Sequence, residues 1–105
     1  MLSILIPTYN YNIVPLVRDL RSQLHKENII FEIICIDDAS QSELNLINEE
    51  INSFEFCSFS SLEKNFGRSK IRNFLAKKAK YEWLIFLDGD VLPAQSSFIF
   101  NYLYP

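Results

Sequence analysis

The chain has 105 residues, 49% of them hydrophobic and 22% charged, which suits one globular domain with a real core and leaves no room for a second. Its formal net charge of −3 argues against a general nucleic-acid binder, although seven of the ten basic residues crowd between Lys64 and Lys80, a span without an acid. No apolar run approaches the roughly 18–20 residues of a transmembrane segment.

Residues 2–6 are rich in Ile and Leu and are stopped by Pro7. They lack a basic n-region and a small-residue cleavage site, so they read as a strand and not a signal peptide. Ile13, Leu16, Val17, Leu20 and Leu24 then recur at helical spacing, with Asn10 or Asn12 as the cap and Pro15 in the first turn. Residues 31–36 form a second apolar run that ends in Asp37-Asp38. Ser40-Gln41-Ser42-Glu43 has the form of a capping box, followed by Leu44, Ile47 and Ile51 on one helical face. Residues 54–59 are a third, weaker strand. After Asn65-Phe66-Gly67 comes a helix whose buried stripe is Ile71, Phe74, Leu75 and Ala79, and residues 83–87 are the fourth strand. A short helix is expected over 96–102.

Strands of near-continuous apolar character separated by helices predict an α/β domain. It is a Rossmann-like three-layer sandwich with a mainly parallel sheet. Cys35 and Cys57 sit singly in apolar stretches and read as reduced thiols of a cytoplasmic protein. The lone His25 reads as a helix-end residue. In a parallel sheet the strand ends share a rim, so Thr8-Tyr9-Asn10, Asp37-Asp38-Ala39-Ser40 and Asp88-Gly89-Asp90 converge there, where α/β proteins bind ligands. Two carboxylates separated by one glycine suit a hard divalent cation that also holds phosphate oxygens. With two glycines in the whole chain, a dinucleotide fingerprint or a P-loop is excluded, and a metal must neutralise more of the phosphate charge. Lys64, Arg68 and Arg72 lie at intervals of four and would share a helix face or its approach, where guanidinium groups bind a diphosphate well.

Ser3 to Asn10, Glu32 to Ser40, Asn65-x-Gly67, Arg72-Asn73 and Trp83 to Asp90 together resemble the family 2 glycosyltransferases, in order and over most of the chain. The resemblance implies the A-type nucleotide-diphosphosugar fold, here as the N-terminal, truncated portion of a larger inverting enzyme, with 1–105 as one nucleotide-sugar-binding domain. It implies that Pro7, Thr8 and Tyr9 border the nucleoside, that Asp37 or Asp38 accepts from the imide N–H of a uracil-type base, and that Arg72 and Asn73 flank the donor site. Asp88 and Asp90 would hold Mn2+ or Mg2+. Asp90 is the direct ligand, and Asp88 reaches the ribose or the metal's water shell. The partners implied are a nucleotide sugar (a UDP-sugar) and a saccharide or lipid-linked acceptor, with the full enzyme cytoplasmic, at the inner face of the membrane. An exposed sheet edge would favour a homo-oligomer.

Two departures stand out. Ala39 occupies a position where the family has Gly, so the turn after Asp38 is expected to avoid the left-handed region. Ile71 replaces a typical Ala and would push its helix slightly off the sheet. In this family the general base is a carboxylate well downstream of the D-x-D, and the residues after Asp90 contain no Asp, Glu or His. No catalytic residue is therefore assigned, and the alternative to a transferase is an inactive nucleotide-binding domain. A phosphatase-like reading, with Asp88 as nucleophile, and a receiver reading, with Asp88 as phosphoacceptor, both lack the later residues those chemistries need.

Overall fold

A computed structural model describes residues 1–88. Strand β1 (Leu2–Thr8) leads through α1 (Val14–Lys26) to β2 (Phe31–Asp37). A short helix α2 (Leu44–Asn48) tightens into a 3-10 turn (Glu49–Ser53) before β3 (Cys57–Ser61), and α3 (Arg68–Lys78) precedes β4 (Trp83–Phe86). The four strands form one parallel sheet in the order β3-β2-β1-β4. This is the expected α/β architecture, and the helix expected over 96–102 lies outside the described residues.

Side-chain alternation divides the sheet into two faces. Leu2, Ile4 and Ile6 of β1, with Phe31, Ile33 and Cys35 of β2, pack on one face against Leu16, Val17, Leu20 and Leu24 of α1 and Ile51. Leu5, Ile34 and Ile36 face the other way, onto Ile71 and Leu75 of α3. Near-continuous apolar sequence is what a strand covered on both faces requires.

Pro7 does not stop β1. The strand runs on to Thr8, with Pro7 beside Ile36 and Thr8 beside Asp37. Leu5 accepts from Leu87 of the chain after β4, so Pro7, two residues on, turns its missing N–H to the side where the β4 pairing has already ended at Leu5 and Phe86. A proline is tolerated there because no ladder bond is lost.

The capping box does not form as expected. The Ser40 hydroxyl turns back to Asp37, and it is Ser42 Oγ that accepts from Leu44 N at 3.0 Å. The buried residue of α2 is Asn48 and not Ile47, which is exposed along with Leu46. At the start of α1, Asn12 Oδ1 takes the Val14 N–H at 3.1 Å, while Pro15 falls in the first turn. Strand β3 begins three residues later than expected, because Phe56 adopts a left-handed conformation and leaves its ring exposed. Its outer edge is partly closed by Asn52, whose side chain accepts from Phe59 N at 2.8 Å and donates to Phe59 O at 3.1 Å, as a neighbouring strand would. At the amino ends of the strands, the Ser3 hydroxyl donates to Glu32 at 2.6 Å and accepts from Tyr81 N, and Glu32 also accepts from Lys80 N.

Candidate nucleotide-binding cleft

Parallel pairing puts the carboxyl ends of all four strands on one rim, and a cleft of about 680 Å3 opens there. That volume suits a small ligand of nucleotide size. Pro7, Thr8, Tyr9 and Tyr11 line it from the end of β1 and the loop beyond, and Asp38 from the end of β2. Asn65, Gly67, Arg68 and Ile71 line it from the approach to α3 and its first turn, and Asp88 from beyond β4. Residues far apart in sequence thus meet because β1 is central and the flanking strands deliver their loops to either side of it.

The two neighbouring aspartates have different surroundings. Asp37 is fully buried, and its carboxylate accepts from Ser40 N at 2.8 Å, Ser40 Oγ at 2.7 Å and Asn10 N at 3.2 Å. It ties the loop after β1 to the loop after β2 and does not line the cleft. Asp38 is 8% exposed and lines the cleft, and its carboxylate accepts from Phe66 N and Gly67 N at 2.6 and 3.0 Å. Its own carbonyl accepts from Asn65 Nδ2 at 2.9 Å. Asp38 therefore places a negative group at the amino end of α3, where the helix dipole favours one. Gly67 makes that approach possible with φ +81°, and no atom lies within 4 Å of where a Cβ would stand, so the need for glycine is one of backbone conformation.

The turn after Asp38 enters the left-handed region after all: Ala39 has φ 61° and Gln41 φ 56°. Hydrogen bonds on both sides, Asn65 to the Asp38 carbonyl and Ser40 to Asp37, hold Ala39 in a conformation that a Cβ disfavours.

Thr8 is 5% exposed, lines the cleft, and its hydroxyl has no hydrogen-bond partner among the described residues. A buried hydroxyl without a partner costs free energy that a polar ligand atom would recover. Arg68 stands 3.6 Å from Asp88 across the cleft, with both side chains largely exposed, so this is a weak pair that a ligand can readily replace. Arg72 lies outside the cleft lining, its guanidinium 4.4 Å from the centre of the Phe86 ring. Lys64 precedes α3 and is exposed. Asp90, expected to be the direct metal ligand, lies outside the described residues. Among the described residues no three acidic, His or Cys side chains cluster to form a closed metal cage.

Two residues escape the sequence reading. Tyr11 lines the cleft, and Asn48, fully buried, holds the loop that carries it. A signal for Asn48 did exist. It sits four residues after Leu44 and three before Ile51, a polar residue in the core register of a helix. The thiols lie away from the rim chemistry: burial, reinforced by the nearby Cys57, holds Cys35 well above its ordinary value, and burial pushes Cys57 up to about 11, although Arg21 opposes it.

Residues 3–99 match the sequence profile of Glycosyl transferase family 2. Over 91 residues the chain is 36% identical to an uncharacterized glycosyltransferase of Haemophilus influenzae, a match covering 86% of this chain and 29% of that protein. The crystal structure of Staphylococcus aureus TarS 1–349 in complex with UDP-GlcNAc superposes with a TM-score of 0.71 at 33% identity, covering 85% of this chain and 26% of that one. The mannosyltransferase PcManGT of Pyrobaculum calidifontis, in complex with GDP-Man and Mn2+, shares the fold with a TM-score of 0.73 at 17% identity, covering 97% of this chain and 31% of that one. The chain thus spans less than a third of each of these proteins.

Proposed function

The chain belongs to glycosyl transferase family 2 and has the A-type fold of its structural neighbours, and on that premise we propose that its rim cleft binds a UDP-sugar donor. The observation that carries this reading is the buried Thr8 hydroxyl, without a hydrogen-bond partner among the described residues, in a cleft that Asp38, Arg68 and Asp88 also line. Pro7, Thr8 and Tyr9 form the nucleoside floor in this reading. Asp38 accepts from the base, since Asp37 is buried and its carboxylate already holds three donors. Support for a uridine nucleotide comes from the TarS complexes with UDP-GlcNAc and with UDP.

In this reading Arg68 faces the diphosphate, with Asp88 beside it at 3.6 Å. A divalent ion, Mn2+ or Mg2+, fits there. Such ions are commonly held by one or two carboxylates together with substrate phosphates, and Asp88 offers an exposed carboxylate whose partner among the described residues is the weak pair with Arg68. Asp90 is the second carboxylate of this proposal, and Arg72 serves behind Arg68. When bound, the ion would neutralise the charge of the departing diphosphate. Transfer to a saccharide or lipid-linked acceptor, in polysaccharide synthesis, belongs to this reading as an activity of the whole protein. Family membership leaves the phosphatase-like and receiver readings of Asp88 without support.

Titration calorimetry tests the proposal. UDP should release heat that depends on Mn2+, and Asp88→Asn should weaken metal-dependent binding at least tenfold with unchanged thermal unfolding. A flat signal with UDP and metal together would sink the donor-site reading.

A further inference from the structure

Residues 9–13, the loop between β1 and α1, bring two tyrosines to the cleft, and only one is placed by the strand itself. Tyr9 follows Thr8 directly. Tyr11 lies beyond Asn10, which is itself in a left-handed conformation with φ 53°. What fixes Tyr11 comes from a distant part of the chain. Asn48 of α2, fully buried, donates through Nδ2 to the Tyr11 carbonyl at 2.8 Å and accepts at Oδ1 from Ile13 N at 2.9 Å. Both ends of one amide grip the backbone on either side of Asn12. Helix α2 continues from the loop that carries Asp38, so the clamp ties the Tyr11 loop to the segment that carries Asp38. Tyr11, 36% exposed and on the wall of the cleft, brings a flat apolar ring to a cleft that also holds the Asp38 carboxylate as an acceptor. A planar heterocycle with an N–H edge fits that pairing, and a phosphate does not.

We infer that Tyr11 contacts the nucleobase and that Asn48 is a positioning residue that holds it there. This rests on the donor-site reading and adds to it the residues that recognise the base end. If Asn48 loses its amide, a buried N–H and a partly buried carbonyl lose their partner and the loop can swing, while the diphosphate end, held by other elements, is untouched.

The test uses two probes on the whole chain, UDP and inorganic pyrophosphate, each with Mn2+, followed by calorimetry. Tyr11→Ala should weaken UDP binding about tenfold or more and leave pyrophosphate binding within twofold, while Tyr11→Phe should keep UDP binding near the parent value. Asn48→Ala should repeat the selective loss of UDP, and the double variant should be no worse than the poorer single one, because both act on one contact. Should Asn48→Ala not fold, the Tyr11 pair still decides, since Tyr11 is partly exposed and its ring is not core. Parent binding of UDP with no loss in Tyr11→Ala overturns this inference alone, and equal losses of UDP and pyrophosphate overturn it too. A parent chain that binds neither probe overturns the donor-site reading and this inference with it.

Discussion

At the amino ends of the strands, Ser3, Glu32 and the backbone of Lys80 and Tyr81 bond to one another and close the loop before β4 onto the sheet. At the carboxyl ends, Asp37 and Asp38 also bind backbone N–H groups, yet the rim stays open: the Thr8 hydroxyl has no partner among the described residues, and Arg68 and Asp88 meet loosely at 3.6 Å. Exposed apolar residues flank that first rim, with Met1, Ile30, Phe56 and Trp83 each at the start of a strand or just before it. The second rim gathers the buried polar groups Thr8, Asp37 and Asp38 next to the exposed Tyr9, Arg68 and Asp88. The same sheet therefore ends in a polar latch at one rim and in a site at the other. Buried carboxylates that organise loops, without filling the space between them, are what make the second rim able to take a ligand.

The largest expected effect tests whether Asp37 organises that rim. Asp37→Ala strips three donors of a buried acceptor and should cost about 3 kcal/mol in urea unfolding, with loss of UDP binding as a consequence of loosened loops. A variant of near-parental stability would mean that the loops are held by something else. Ser3→Ala probes the other rim. It should cost about 1–2 kcal/mol and leave UDP binding unchanged, so that a drop in affinity would show the two rims to be coupled.

Smaller effects sharpen the comparison. Ala39→Gly should stabilise the chain by about 0.5 kcal/mol, since relief of the left-handed alanine is partly offset by the greater freedom of glycine in the unfolded chain. A destabilised Ala39→Gly would show that the Ala39 methyl group makes a needed contact. The last prediction concerns Cys57, which opens β3. The folded thiol ionises near 11 and the unfolded one near 9, so the unfolded state loses its proton first as the pH rises. Its contribution is complete below pH 9 and is lost as pH climbs from 9 through 11, and Cys35 acts in the same direction. Urea midpoints should fall across that window and recover in part in Cys57→Ser, while alkylation at pH 8 should be slow at both thiols. Fast alkylation of the folded chain at pH 8 would contradict the raised values.

Much of this architecture could be read directly from residue patterns. Apolar runs at 2–6, 31–36 and 83–87, with helical spacing between, required a parallel sheet covered on both faces, because burying both faces of a strand demands continuous apolar sequence. That pattern, with acids at the run ends, also put Thr8, Asp38 and Asp88 at one rim. Local signals failed where a side chain had two possible partners. Ser40 has the spacing of a cap and serves Asp37 instead, and Pro7 looks like a strand end but faces the side where pairing has stopped.

By itself, then, the sequence determined the layers, the family pattern and the rim on which the acids gather, since these follow from periodicity and chain order. Only the tertiary structure decided which of two adjacent aspartates lines the cleft, that Ala39 adopts a left-handed turn, and that Asn48 reaches back to hold Tyr11. The reason is physical. Hydrophobic burial follows an additive pattern along the chain, whereas the partner of a buried polar group depends on the one donor or acceptor that the folded backbone brings within about 3 Å.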